Sequence, residues 1–350
     1  MAGNKENLLF TNSIGKALTT TFAGRSFPAV FVLVDNNTKK HCLPLVGSSL
    51  PQGYHLIEIP AGEVHKNLAT CQLIWQALTD HQADRHALLV NLGGGVICDM
   101  GGFCARTYKR GIRFWNIPTT LLSQVDASVG GKLGVDFGDY KNHLGLFSDP
   151  DAVVIDSAFL ATLPDDELLS GYAEMVKHAL IANRDMFARL RKEHFPLLNW
   201  QKWVPESVAI KKGIVDRDPT EKGLRKILNY GHTLGHAVES YFLGQGKPLK
   251  HGEAIVIGMI AENHIASAKG MLAESECQAI NQYLLATFGQ QKIPGNALET
   301  IVSLALQDKK NKNGKIKAVL LSRIGQAEYD IEISAREIAG SLAYYNQMIK

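Results

Sequence analysis

Ala87–Phe103 reads ALLVNLGGGVICDMGGF: a short apolar run, three consecutive glycines, then a segment that can coil into a helix. A continuous apolar run bounded by a turn signal is the mark of a strand buried on both faces. The glycine triplet lets the chain turn tightly from that strand into the following helix. Such a turn can also bring backbone close to a phosphate, with the first helical amides pointing at it. A plain βα turn is the alternative. The dinucleotide fingerprint is incomplete, since Gly93 and Gly95 fit its first two positions but the third falls on Cys98. Asp99 stands where an acid can meet a ribose or cap the helix.

The same pattern recurs on either side. Pro28–Asp35 (PAVFVLVD) predicts a buried strand ending in a polar loop, and Tyr54–Pro60 (YHLIEIP) alternates as another strand. After it, the loop Ala61–Lys66 leads into a helix with Leu68, Cys71, Leu73, Ile74, Ala77 and Leu78 on one side. Arg113–Ile117 and Ala152–Asp156 complete the strands of an α/β half. Between them, Pro118–Phe147 sets Asp126, Lys132, Asp136, Asp139, Lys141, Asn142 and His143 among small residues without a clean period. It reads as an irregular loop, either lining a site or merely solvated.

Beyond Leu160 helical periodicity dominates: residues 165–192, 203–215, 225–242, 252–269, 273–288 and 296–306. Two late strands, 315–322 and 328–333, precede a last helix from Ser334. The length of 350 residues fits two domains, and no internal repeat or long linker interrupts them.

Hydrophobic residues make up 45% and charged residues 20%, the balance of a globular chain. A net charge of +3 is too small to imply nucleic acid, so basic residues that matter would have to be concentrated on an anionic small molecule. The five cysteines form no CxxC pair and no even framework, which favours a reducing compartment. The first residues lack a signal-peptide core, and no run of about 18 apolar residues occurs. A cytoplasmic protein without membrane or nucleic-acid partners is expected.

In the second half, Leu228–Glu239 (LNYGHTLGHAVE) places His232 and His236 four residues apart, on one helical face, a spacing that metal sites use. His251 opens HGEAIVIGM after a turn, and Glu174 in GYAEMVKHALI could add a hard oxygen ligand. The alternative is that each is an ordinary hydrogen-bonded residue.

Taken together, GGGVICDMGGF, PTTLLSQVDASVGGK, YKNHLGLF, GYAEMVKHALI, GLRKILNYGHTLGHAVE, HGEAIVIGM and DKK resemble, in order and spacing, the 3-dehydroquinate synthase family of sugar phosphate cyclases. The resemblance spans nearly the whole chain. It implies an α/β fold with an N-terminal Rossmann-like NAD-binding domain followed by an all-helical C-terminal metal-binding domain, and the chain is expected to divide into residues 1–160 for NAD and a mainly helical 161–350 for metal and substrate. The zinc ligands it implies are Glu174, His232 and His251, with cobalt a possible substitute. For NAD it implies Asp35, Asn37, Glu63, Lys66, Gly94, Gly95, Val96, Asp99, Thr119, Thr120, Lys132, Lys141, Thr162 and Glu167.

The substrate implied is a phosphorylated sugar acid, 3-deoxy-D-arabino-heptulosonate 7-phosphate. Lys132, Asn142, Lys211, Arg225, Asn229, His236 and Lys310 are its candidate anion binders, and Lys177 orients it near Asp126, a further candidate catalytic residue. Arg110 would reach across a homodimer interface. The reaction implied is a transient oxidation at C5 by NAD, β-elimination of phosphate, reduction, ring opening and aldol closure to 3-dehydroquinate, a carbon–oxygen lyase step of the shikimate pathway to aromatic amino acids. Rivals within the resemblance are cyclases of sedoheptulose or glucose phosphates and, more distantly, a metal-dependent polyol dehydrogenase. Lys211, Arg225 and Asp308–Lys310 suit a substrate carboxylate. His232 thus goes to the metal and His236 to the substrate.

Overall fold

The computed structural model describes residues 7–138, 140–306 and 316–349. The chain forms two compact units, Met1–Pro164 with Trp200–Val208, and Asp165–Asn199 with Ala209–Lys350.

The first unit is built on a six-stranded sheet: β1 (Leu8–Thr11), β2 (Val30–Asp35), β3 (His55–Ile59), β4 (Leu88–Gly93), β5 (Arg113–Pro118) and β8 (Ala152–Asp156). The sheet order is β1-β8-β5-β4-β2-β3, and every pairing is parallel. Parallel strands require crossover helices on the sheet faces, which explains why β2 and β4 are apolar along their length rather than alternating. Side chains of β2 divide between the faces. Phe31 and Leu33 pack with Cys71, Ile74 and Met100 of the helices Leu68–Asp80 and Gly95–Thr107. Val32 and Val34 pack with Leu18 of the helix Ile14–Phe22 on the other side. Each such buried side chain contributes about 1.5–3 kcal/mol. Strand order reverses between β2 and β4, the switch point at which open parallel sheets receive ligands.

The segment expected to be irregular, Pro118–Phe147, is more regular than its sequence suggests. Ser123–Ala127 forms a π-helical turn, and β6 (Lys132–Phe137) pairs antiparallel with β7 (Tyr140–Phe147). The hairpin escaped the sequence reading because β7 is exposed along most of its length, so no buried face imposes alternation. The short edge strand β1 was likewise not expected.

The second unit is mainly helical. Its central helices, Asp165–Ala182 and His251–Ala268, are buried nearly all round, as helices inside a bundle are. The unit is not all-helical: β9 (Ile316–Arg323) and β10 (Gln326–Ile333) pair antiparallel close to the two late strands read from sequence. Two expected helices are interrupted. Residues 165–192 break at Asn183, whose side chain caps the next helix, Arg184–Leu190. Residues 225–242 divide into a 3-10 turn, Leu224–Asn229, and the helix His232–Gly244, because Gly231 takes a left-handed φ of 79°. Among the described residues no helix is long and apolar enough to cross a membrane. All five cysteines are free and buried.

Candidate active site

In the first unit the glycine turn follows β4 at the switch point. Gly94 is the N-cap of the helix Gly95–Thr107 and supplies no side-chain cap, so the first-turn amides keep donors to offer a ligand. A Cβ on Gly94 would lie 3.1 Å from Thr120 Cγ2, so a side chain there would press on Thr120. Thr119 is buried and its amide donates to Gly93 O at 3.0 Å. Asp35, at the end of β2, accepts from Thr38 N at 2.7 Å and caps the helix Asn36–His41, with Asn37 exposed beside it.

Lys66 ties this region together. It is 4% exposed, and its Nζ donates to Asp99 Oδ2 and to Asn142 Oδ1, each at 2.7 Å. Its carbonyl accepts from Asp136 N at 2.8 Å, and Asp136 Oδ1 accepts from Asn142 N at 2.6 Å. The β6–β7 hairpin is thereby fastened to the loop after β3. Burial alone would lower the Lys66 ammonium, but Asp99, Glu63 and Asp136 more than reverse it and raise its pKa. Asp99 therefore meets Lys66, where the sequence left a ribose or a cap as its partner. Lys132, Lys141, Asn142 and Glu63 are exposed, Val96, Gly95 and Asp126 half-buried, and Thr162 exposed at the end of the turn Ser157–Thr162. Arg110 is exposed with φ of 67°.

In the second unit three helices converge. Glu174, on Asp165–Ala182, is fully buried. Its Oε1 lies 3.5 Å from His232 Nε2, at the start of His232–Gly244, and 3.5 Å from His251 Nε2, at the start of His251–Ala268. Glycines permit this convergence. Gly258 and Gly252 leave no room for a Cβ, which would lie 2.6 Å from Gly235 N and 2.6 Å from Ser170 O respectively. The helices thus touch backbone to backbone. Metal–ligand bonds of about 2.0–2.2 Å in tetrahedral geometry put neighbouring donors roughly 3.3–3.6 Å apart. The two edges that meet at Glu174 match, and a carboxylate with two imidazoles is a donor set that a zinc-like cation takes.

The rings are aimed by partners that the sequence reading did not include. His232 Nδ1 donates to Tyr230 O at 3.1 Å, which turns the Nε2 lone pair toward Glu174. His251 Nδ1 lies 3.7 Å from Glu239 Oε2. Burial, with Lys177 adding to it, holds the His232 pKa well below its usual value. Burial also opposes charge on His251, but Glu174 and Glu239 outweigh it and raise its pKa to about 9.

His236 and His251 also group with Glu239, and the His232 and His236 rings are 5.1 Å apart. The face shared by His232 and His236 is therefore real, while Glu174 converges on His232 and His251. Lys177 is 1% exposed and ion-paired with Glu174. Glu167, expected at the nucleotide, pairs with Lys250 Nζ at 2.6 Å, next to His251. Arg225 is buried and donates to Pro219 O at 2.6 Å. Asn229 donates to Glu221 Oε1 at 2.6 Å, and Lys211 is buried on Trp200–Arg217. Lys310 lies outside the described residues. Glu239 was legible in principle as the one acid of the helix His232–Gly244, about one turn past His236.

A parallel sheet with a glycine turn at its switch point, and a mainly helical unit that gathers Glu174, His232 and His251, place the chain in the α/β class. The sequence comparisons narrow the class. Residues 56–170 match the N-terminal and residues 171–311 the C-terminal family model of 3-dehydroquinate synthase. The chain is 37% identical to the 3-dehydroquinate synthase of Parabacteroides distasonis, over 98% of this chain and 99% of that protein. It is 43% identical to that of Wolinella succinogenes, over 79% of each. Among solved structures, 2-epi-5-epi-valiolone synthase from Streptomyces hygroscopicus, with NAD+ and Zn2+ bound, superposes with a TM-score of 0.87, 25% identity and coverage of 99% and 98%. This chain belongs to the 3-dehydroquinate synthase family.

Proposed function

We propose that the chain converts 3-deoxy-D-arabino-heptulosonate 7-phosphate into 3-dehydroquinate and phosphate as a carbon–oxygen lyase, with NAD and a divalent ion, zinc or cobalt, as resident cofactors. The observation that carries the reading is the Glu174–His232–His251 triangle, in a chain whose relatives over nearly its full length are 3-dehydroquinate synthases. When bound, NAD would supply a reversible hydride acceptor and the metal an electrophile for substrate oxygen.

The chain's own residues do the rest. Gly94, Gly95 and Val96 offer close backbone at the switch point, and Asp35, Asn37, Glu63, Lys66, Asp99, Thr119, Thr120, Lys132, Lys141, Thr162 and Glu167 are assigned to the nucleotide. Lys177, against Glu174, keeps a second cation beside the metal ligands, where it can hold a substrate oxygen and steady charge. Lys132, Asn142, Lys211, Arg225, Asn229, His236 and Lys310 are assigned to the substrate's two anionic ends, Arg225 offering the planar fork that suits a carboxylate. Asp126 orients the sugar. The departing phosphate can take the C6 proton, so no strong protein base is required. We assign residues 1–160 to the nucleotide domain and 161–350 to the metal domain, and place the enzyme in the cytoplasm as a homodimer with Arg110 at its interface. The free, buried cysteines support the reducing compartment.

The test is stoichiometric. With the heptulosonate phosphate, NAD and zinc, the protein should release one phosphate per substrate consumed with no net NADH. Steady accumulation of NADH would instead mean a dehydrogenase.

A further inference from the structure

The turn Tyr230–Gly231–His232 carries one apex of the metal triangle, yet Gly231, its N-cap, provides no side-chain cap for the helix His232–Gly244. The cap comes from another helix. Glu262 lies on His251–Ala268, three turns beyond His251, and is 0% exposed. Its Oε2 accepts from Gly231 N at 2.6 Å and its Oε1 from Leu234 N at 3.4 Å. A carboxylate at this position satisfies helix N-terminal amides and sits at the positive end of the helix dipole. The next residue holds the other side of the turn. Asn263 Oδ1 accepts from the Tyr230 hydroxyl at 2.5 Å, and Asn263 Nδ2 donates to Asn281 Oδ1 at 2.9 Å. Tyr230 in turn presents its carbonyl to His232 Nδ1.

We propose that Glu262 is a positioning residue for the metal centre: it fixes the Tyr230–Gly231–His232 turn from the helix that also carries His251, so that both imidazoles are referred to one rigid element. The inference rests on the reading of Glu174, His232 and His251 as the metal site. A buried carboxylate serving only the fold would leave the donor triangle indifferent to its exact chemistry. A positioning carboxylate sets where Nε2 of His232 points, and ligands need placement to within about 0.2 Å.

The experiment measures zinc affinity of the full-length folded protein by competition with a chromophoric chelator, and the visible spectrum of the cobalt-loaded form, for wild type, Glu262→Gln and Glu262→Asp. Gln keeps the shape but removes the charge and turns an amide donor toward backbone N–H groups. Zinc affinity of Glu262→Gln should fall by about 10–100-fold, as for partners that orient metal ligands, with shifted cobalt bands. An affinity within about twofold of wild type and an unchanged cobalt spectrum would overturn the proposal. If the Gln variant does not fold, the Asp variant is read by the same criteria. If neither folds, Glu262 is a folding residue and the proposal is equally overturned. Failure of the metal-site reading itself looks different: wild type would then bind zinc no better than His251→Ala.

Discussion

Gly258→Ala and Gly340→Ala are the same chemical change in two helices of the same unit, and the packing around them predicts opposite outcomes. Both glycines are helical, in His251–Ala268 and Ala335–Met348. Alanine should favour each helix by about 0.5–1 kcal/mol through propensity. At Gly340 a Cβ meets nothing within 4 Å, so that gain should stand. At Gly258 the Cβ would lie 2.6 Å from Gly235 N and closer still to Gly231 O. Both obstacles are backbone, with no flexible side chain to yield. Restoring ordinary contact with Gly231 O, the nearer of the two, requires the His232 and His251 helices to separate by roughly 1.3 Å or more. Overpacking of this kind costs about 3 kcal/mol, leaving a net loss of about 2 kcal/mol after the propensity gain. For a domain of this size each kcal/mol moves the midpoint by about 2–4 °C. Thermal unfolding of metal-free protein should therefore fall by about 4–8 °C in Gly258→Ala and rise by about 1–4 °C in Gly340→Ala. The same displacement exceeds the tolerance of a metal site, so Gly258→Ala should also lose zinc affinity while Gly340→Ala keeps it. A Gly258→Ala protein as stable as wild type, with wild-type zinc affinity, would refute the backbone-to-backbone contact as the source of the site's geometry.

The other predictions follow from single contacts. Lys66→Met strips a buried cation from Asp99 and Asn142; it should cost about 3 kcal/mol and speed hydrogen exchange in β6–β7, and a loss below about 1 kcal/mol would count against the fastening role. His236→Ala should retain zinc and lose turnover, and loss of zinc would return His236 to the ligand set. Glu337 is held to a pKa of about 2, chiefly by Lys269 with help from the Ser334 cap, in the capping box that opens the last helix. Because its folded pKa is depressed, its stabilisation is present above the usual 4.5 and is lost as pH falls through about 2. Glu337→Gln should therefore lower stability by about 1 kcal/mol at pH 7, with the difference from wild type shrinking toward pH 2. A difference that grows on acidification would reverse the sign of the argument.

The strands of the sheet core were legible because burial on both faces leaves an apolar run that needs no partner to be recognised. β1 and the β6–β7 hairpin were not: the first is a four-residue edge strand, and the second keeps Tyr140, Phe147 and the lysines in solvent. Helix-favouring composition hid the break at Gly231, where a positive φ of 79° and the close approach of Met259 and Ile255 from another helix each call for glycine. At the site, Glu174, His232 and His251 stood out through motif resemblance, and the spacing of His232 and His236 alone would have suggested a different pair. Glu239, Tyr230 and Glu262 act through partners brought to them by helix packing. The trace of that packing in the sequence is the set of small residues, Gly231, Gly235, Gly252 and Gly258, that lets the helices touch.

The central claim, a metal held by Glu174, His232 and His251 in the service of phosphate elimination, is tested most directly by metal analysis of His251→Ala beside wild type. The account predicts one zinc per wild-type chain, and in the variant neither bound zinc nor phosphate release. Full zinc occupancy in the variant would contradict it.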